Sequence, residues 1–145
     1  MPGHPVYGGF PMEWSNDFAT GIERIDEQHR MLFRMVGDFR LALDEERGER
    51  TYGLLLGLLT DYARAHFEFE EQCMEKYRCP VAGQNREAHE WFMRMLSRFR
   101  ERHDHAGYRA ADARELMDAL DRWLRTHICG LDVQLRSAVE AGGAP

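Results

Sequence analysis

The chain has 145 residues, a common size for a single domain with its own hydrophobic core. Its 19 basic and 25 acidic residues give a net charge of −6 that is spread along the chain, which argues against nucleic acid or an anionic membrane as the main partner. No apolar run approaches the roughly 20 residues that span a bilayer, and the first residues lack the pattern of a secretion signal. We therefore expect a cytoplasmic protein without a membrane partner.

The chain opens with a segment rich in proline and glycine that shows no helical period, so residues 1–22 are predicted to form an extended N-terminal arm. In the next segment, apolar residues recur every three or four positions from Ile25 to Leu43, which predicts an amphipathic helix over about 23–44. A second stripe of this kind predicts a helix over about 51–78. It ends there because the residue before Pro80 disfavours helical geometry.

Two more helices are predicted, over about 84–103 and about 112–139. The last one opens with Asp112 as a candidate N-cap and Glu115 three residues later, which is the pattern of a capping box. Four long helices with short connections favour antiparallel neighbours. The sequence therefore predicts an all-α fold, an up-down-up-down antiparallel four-helix bundle in a single domain over 1–145, which we expect to be a monomer.

Each of the four predicted core stripes carries one histidine, and these are His29, His66, His89 and His127. A lone histidine on an apolar face is more often an ordinary core residue than a ligand. One histidine in every stripe is a much rarer coincidence. The pattern therefore favours a metal site in the middle of the bundle.

Two carboxylates join this set. Glu70 follows His66 by four residues, so one helical turn places both side chains on the same face, where an unpaired glutamate would be costly without a cation. Asp132 follows His127 by five residues, which turns it about 140° away in a regular helix. Either Asp132 reaches the centre from the side, or the helix bulges locally as helices often do at functional sites. The alternative for each carboxylate is a solvated edge position.

Imidazole and carboxylate without thiolate suit iron or manganese, and less specifically zinc. Two carboxylates shared among four histidines suggest two ions, since a carboxylate can bridge ions about 3.5 to 4 Å apart. The three cysteines are too few and too irregularly spaced for a disulfide framework or a zinc site, so we expect them to be reduced. Large apolar residues one turn from the ligands are predicted to wall the site from water, namely Leu32, Phe33, Phe92, Met93, Trp123 and Leu124.

These motifs resemble the hemerythrins, in particular the single-domain bacterial hemerythrins, over nearly the whole chain after the arm. "HFEFEE" matches the HxxxE motif of the family, and "HICGLD" matches its HxxxxD motif. The segment "MEWSNDFATGIERIDEQHRMLF" looks like the entry to the first helix of the family. Between these motifs the family has HxxxH, whereas this chain reads "NREAH" with Asn85 at the first position.

The resemblance implies a non-heme di-iron centre that carries an oxo or hydroxo bridge and binds dioxygen reversibly. The ligands that it implies are His29, His66, Glu70, His89, His127 and Asp132. The first two histidines would hold one iron, the last two would hold the other, and both carboxylates would bridge the ions. In the family the second iron has a third histidine, at the position of Asn85 here.

Asparagine is neutral, and its carbonyl oxygen is a weaker iron ligand than an imidazole nitrogen. Either Asn85 ligates poorly or water takes its place, and the site then oxidises more readily, binds oxygen less reversibly or holds its second iron loosely. Alternatively, oxygen still binds at the unaltered first iron. We expect an oxygen carrier, store or sensor rather than an enzyme. A di-iron enzyme reducing oxygen, peroxide or nitric oxide, and an iron-handling module without reversible oxygen binding, stay open.

Overall fold

The computed structural model describes residues 13–142, which fold into four long helices. The helices are α1 (Glu23–Asp44), α2 (Gly48–Lys76), α3 (Ala82–Ala106) and a fourth that begins as α4 (Ala110–Trp123). The fourth continues through a π-helical segment (Leu124–Leu131) and a 3-10 turn (Asp132–Gln134) into α5 (Leu135–Glu140). Within residues 13–142 there is no strand, and none of the helices has an apolar stretch long enough to cross a bilayer. The predicted all-α four-helix bundle is confirmed.

The helices are joined by short connections over residues 45–47, 77–81 and 107–109. Connections of this length make sequence neighbours antiparallel. α1 packs against α2 and α4, α2 also packs against α3, and α3 contacts the π-helical segment. The four helices therefore close around one interior.

Two apolar clusters fill this interior at different levels. The larger one includes Leu32 and Phe67, and the smaller one includes Ile25 and Cys73. On α1, His29 lies between Ile25 and Leu32 in the chain, and Glu70 occupies the matching place on α2 between Phe67 and Cys73. His29 and Glu70 thus lie in a polar layer between the two apolar clusters.

The start of the fourth helix differs from the prediction. α4 begins at Ala110, its N-cap is Arg109 without a side-chain hydrogen bond, and the predicted capping box is wrong. The two acidic residues of the predicted capping box instead bind Arg102 of α3, with guanidinium-to-carboxylate distances of 3.3 Å for Asp112 and 2.8 Å for Glu115. Because both carboxylates pair with a residue of another helix, they do not cap the start of α4.

Residues 13–22 lie against the bundle. The guanidinium of Arg136 donates hydrogen bonds to the carbonyl oxygens of Ala19 (2.7 Å) and Asp17 (2.6 Å), and Phe18 packs against the larger core cluster. The last helix therefore holds the segment that leads into α1. The first twelve residues of the predicted arm lie outside the described residues.

Candidate metal centre

The six predicted ligands meet in the polar layer of the bundle, and each is at most 3% exposed. They come from α1 (His29), α2 (His66 and Glu70), α3 (His89), the π-helical segment (His127) and the 3-10 turn (Asp132). Such a set of buried nitrogen and oxygen atoms from all four helices is a donor set suited to a metal ion.

The side chains form two groups, and within each group one candidate ligand atom per residue lies within 4.8 Å of all the others. The first group consists of His29 and His66 with the two carboxylates, and the second consists of His89 and His127 with the same two carboxylates. Asn85 is fully buried on α3, one turn before His89. The three cysteines are free, as expected, and belong to neither group.

Glu70 divides its two oxygens between the groups. Oε2 lies 3.0 Å from His29 Nε2 and 3.6 Å from His66 Nε2. Oε1 lies 3.0 Å from His89 Nε2 and 3.9 Å from His127 Nε2. One carboxylate therefore serves both groups, with a different oxygen toward each.

Asp132, in the fourth helix, also turns one oxygen toward each group. Its Oδ2 lies 3.1 Å from His29 Nε2, and its Oδ1 lies 3.0 Å from His127 Nε2. Together the two carboxylates connect the groups, in the arrangement that bridging ligands of a two-metal site require.

The π-helical segment explains how His127 and Asp132 face the same centre. The backbone N–H of Asp132 donates to the carbonyl of His127, five residues earlier, which is the hydrogen bond of a π-helix. The wider turn brings residues five apart onto one face. Of the two arrangements that the sequence left open, the structure has the local bulge.

Two of the candidate ligand histidines are oriented by neighbours that the sequence reasoning missed. His66 Nδ1 donates to Gln28 Oε1 at 2.7 Å, and His89 Nδ1 donates to Glu71 Oε2 at 2.8 Å. With Nδ1 held in this way, the Nε2 atom of each ring faces Glu70, which is the orientation that a metal ligand needs. His66 Nε2 has no hydrogen-bond partner among residues 13–142, a buried acceptor that a cation would satisfy.

Aromatic rings stack against two of the imidazoles. Phe67 stacks on His89 with ring centroids 3.8 Å apart, and Trp123 stacks on His127 with centroids 4.3 Å apart. Phe92 packs on Trp123 at 4.4 Å. Phe67 was not predicted for the pocket, although it directly follows the predicted ligand His66. Five of the six predicted pocket residues are buried in the larger core cluster, and Met93 packs against it while partly buried.

The electrostatics differ between the histidines. Burial lowers the pKa of His66 to about 4, so this imidazole is neutral and free to ligate. For His29 burial acts in the same direction, but hydrogen bonds to Asp132 and Glu70 outweigh it and raise the pKa to about 10. For Glu70 burial is outweighed by the surrounding histidines, which hold its pKa well below the usual value. Binding of a cation would therefore release protons from the centre.

A groove of about 500 Å³ lies between α3 and the fourth helix. Its lining includes Trp91, Arg122, Trp123 and His127. His127 of the second group therefore also lines a groove at the surface.

Known proteins are similar to this chain over most of its length. A family model described as the Hemerythrin HHE cation binding domain matches residues 20–134. The chain is 33% identical to a bacteriohemerythrin of Stenotrophomonas maltophilia, over 88% of this chain and 81% of that protein. It is 34% identical to a bacteriohemerythrin of Pseudomonas aeruginosa, over 87% and 80%, and 26% identical to a hemerythrin-like protein of Naegleria gruberi, over 89% and 94%. The chain therefore belongs to the hemerythrin family.

Proposed function

We propose that the two groups hold two iron ions, the first bound by His29 and His66 and the second by His89 and His127. The division of the carboxylate oxygens between the groups is the observation that carries this proposal, since one carboxylate facing two ions can bridge them. The match to a cation-binding family and the absence of thiolate from both groups favour iron.

We further propose that the protein binds dioxygen at the first position. The first group offers two histidines and two carboxylates, so a six-coordinate iron there keeps room for an exogenous ligand. Ferrous iron, when bound, would supply electrons to dioxygen as it binds and take them back as it leaves. Leu32 and Phe33, one turn from His29, exclude water from this side of the core.

The test is the visible absorption of protein loaded anaerobically with Fe(II), recorded before oxygen, after oxygen, and after oxygen is removed again. We expect an oxygen-dependent band that appears and then disappears over repeated cycles. Rapid conversion to a stable ferric spectrum would contradict a carrier function.

Two observations favour a second candidate, a di-iron enzyme that reduces oxygen, peroxide or nitric oxide. Asn85 replaces a histidine of the family beside the second group, and the groove described above is lined by His127 of that group. A site with weaker ligation and nearby solvent favours turnover over reversible binding. Sustained consumption of oxygen, peroxide or nitric oxide with a supplied reductant would distinguish this enzyme from a carrier.

The replacement Glu71→Ala is expected to lower the iron affinity of the second position by about 10- to 100-fold, because it removes the acceptor that orients His89. The first position should keep its affinity, since Glu71 does not contact its histidines. Equilibrium dialysis with Fe(II) under anaerobic conditions measures both affinities. Glu75→Ala, one turn further along α2 and exposed, is the matched control. Equal affinities in both variants would contradict the orienting role.

A further inference from the structure

The side-chain amide of Asn85 lies within 3.3 Å of a nitrogen or oxygen atom of every residue in the second group. With its nitrogen turned inward, the amide lies 2.9 Å from Asp132 Oδ1 and 2.9 Å from His127 Nε2. The distances to His89 Nε2 and Glu70 Oε1 are 3.1 Å and 3.3 Å. The residue is fully buried, so solvent does not compete for these contacts.

These distances are those expected between neighbouring ligands of one ion. Metal–nitrogen and metal–oxygen bonds of about 2.0 to 2.2 Å place two ligands at right angles roughly 3.0 Å apart. The end of the Asn85 side chain therefore stands in a ligand place of the second position, close to all four other donors. Rotating the side-chain amide by 180° exchanges Nδ2 and Oδ1 with almost no change in the shape of the side chain.

The geometry points to Asn85 as a direct ligand of the second ion, through its Oδ1. The inference rests on the proposed iron site and names a ligand at the position where the family has histidine. In the ion-free protein the amide is rotated by 180°, and its two N–H groups donate to the carboxylate oxygens Asp132 Oδ1 (2.9 Å) and Glu70 Oε1 (3.3 Å). Asn85 thus gives the buried second group a polar partner both with the ion and without it.

A neutral amide oxygen is a weaker iron ligand than imidazole, and the ion must also displace the hydrogen bonds of the amide. The first group has no such competing amide, and its His66 Nε2 has no hydrogen-bond partner within residues 13–142. We therefore expect the two positions to fill in sequence, the first before the second.

The test is anaerobic equilibrium dialysis with Fe(II), followed by elemental analysis of iron per chain, for the wild-type protein and three variants. The wild-type chain should take up two ions in separate steps. Asn85→Ala should lower the affinity of the second step about tenfold or more and leave the first step unchanged. Asn85→Asp keeps an oxygen at the same place and adds charge, so its second step should be at least as tight as in the wild type. Gln84→Ala, at the exposed neighbouring position, is the control.

A second step in Asn85→Ala that equals the wild type would overturn the inference, because water would then fill the place equally well. If Asn85→Ala does not fold, a weakened second step in Asn85→Asp overturns it independently. Because dialysis is done without oxygen, these outcomes are separate from the oxygen test above. A chain that binds two ions with the expected variant effects but shows no reversible oxygen band contradicts the oxygen proposal alone.

Discussion

Replacing Glu70 by alanine is expected to abolish stable iron binding at both positions, because this carboxylate turns one oxygen to each group. Loss of an outer partner alone typically lowers metal affinity 10- to 100-fold, so loss of a shared ligand should lower it by roughly 100-fold or more. Iron per chain after anaerobic loading and desalting, measured by elemental analysis, should fall from two ions to less than one.

The matched control is Glu68→Ala, which removes an exposed carboxylate two residues away on the same helix. It should retain the full iron content. Far-ultraviolet circular dichroism of both variants shows whether the helices are retained, which separates a lost ligand from a lost fold. A folded Glu70→Ala protein that keeps two ions would refute the shared role of this residue.

The replacement Leu116→Ala is expected to destabilise the bundle by about 2–5 kcal/mol, because it leaves a cavity in the larger core cluster. Leu116 is 0% exposed on α4, whereas Leu54 on α2 is 65% exposed. Leu54→Ala makes the same chemical change at the surface and should alter the free energy of unfolding by no more than about 0.5 kcal/mol. Urea unfolding of the ion-free proteins measures both values.

A loss below about 1 kcal/mol for Leu116→Ala would mean that the core closes around the missing side chain. Such a result would contradict the packing described for this cluster. It would leave the metal proposals untouched, since Leu116 belongs to neither group.

The helices could be predicted from the sequence because each one buries an apolar stripe of regular period. The predicted bounds of the first helix, 23–44, agree with α1, and the others differ by a few residues at their ends. The start of the fourth helix was predicted less well. Asp112 and Glu115 form a good local capping pattern, but Arg102 of another helix binds both. Local sequence rules do not include such a partner.

The residues of the candidate site could also be predicted only in part. The four histidines could be found because each interrupts an apolar stripe that the fold turns inward. The acceptors of two of them, Gln28 and Glu71, could not be found, because each acts across helices and follows no period. For Asp132 the spacing of five left two geometries open, and only the backbone conformation decides between them.

The π-helical segment also determines how the candidate ligands His127 and Asp132 could be transferred into an engineered bundle. A designer who copied His127 and Asp132 with their spacing onto a straight α-helix would point them about 140° apart. The wider turn of Leu124–Leu131 removes that angle. The portable unit is thus the whole segment of 8 residues together with Asp132, and a graft of the two side chains alone would need one intervening residue deleted.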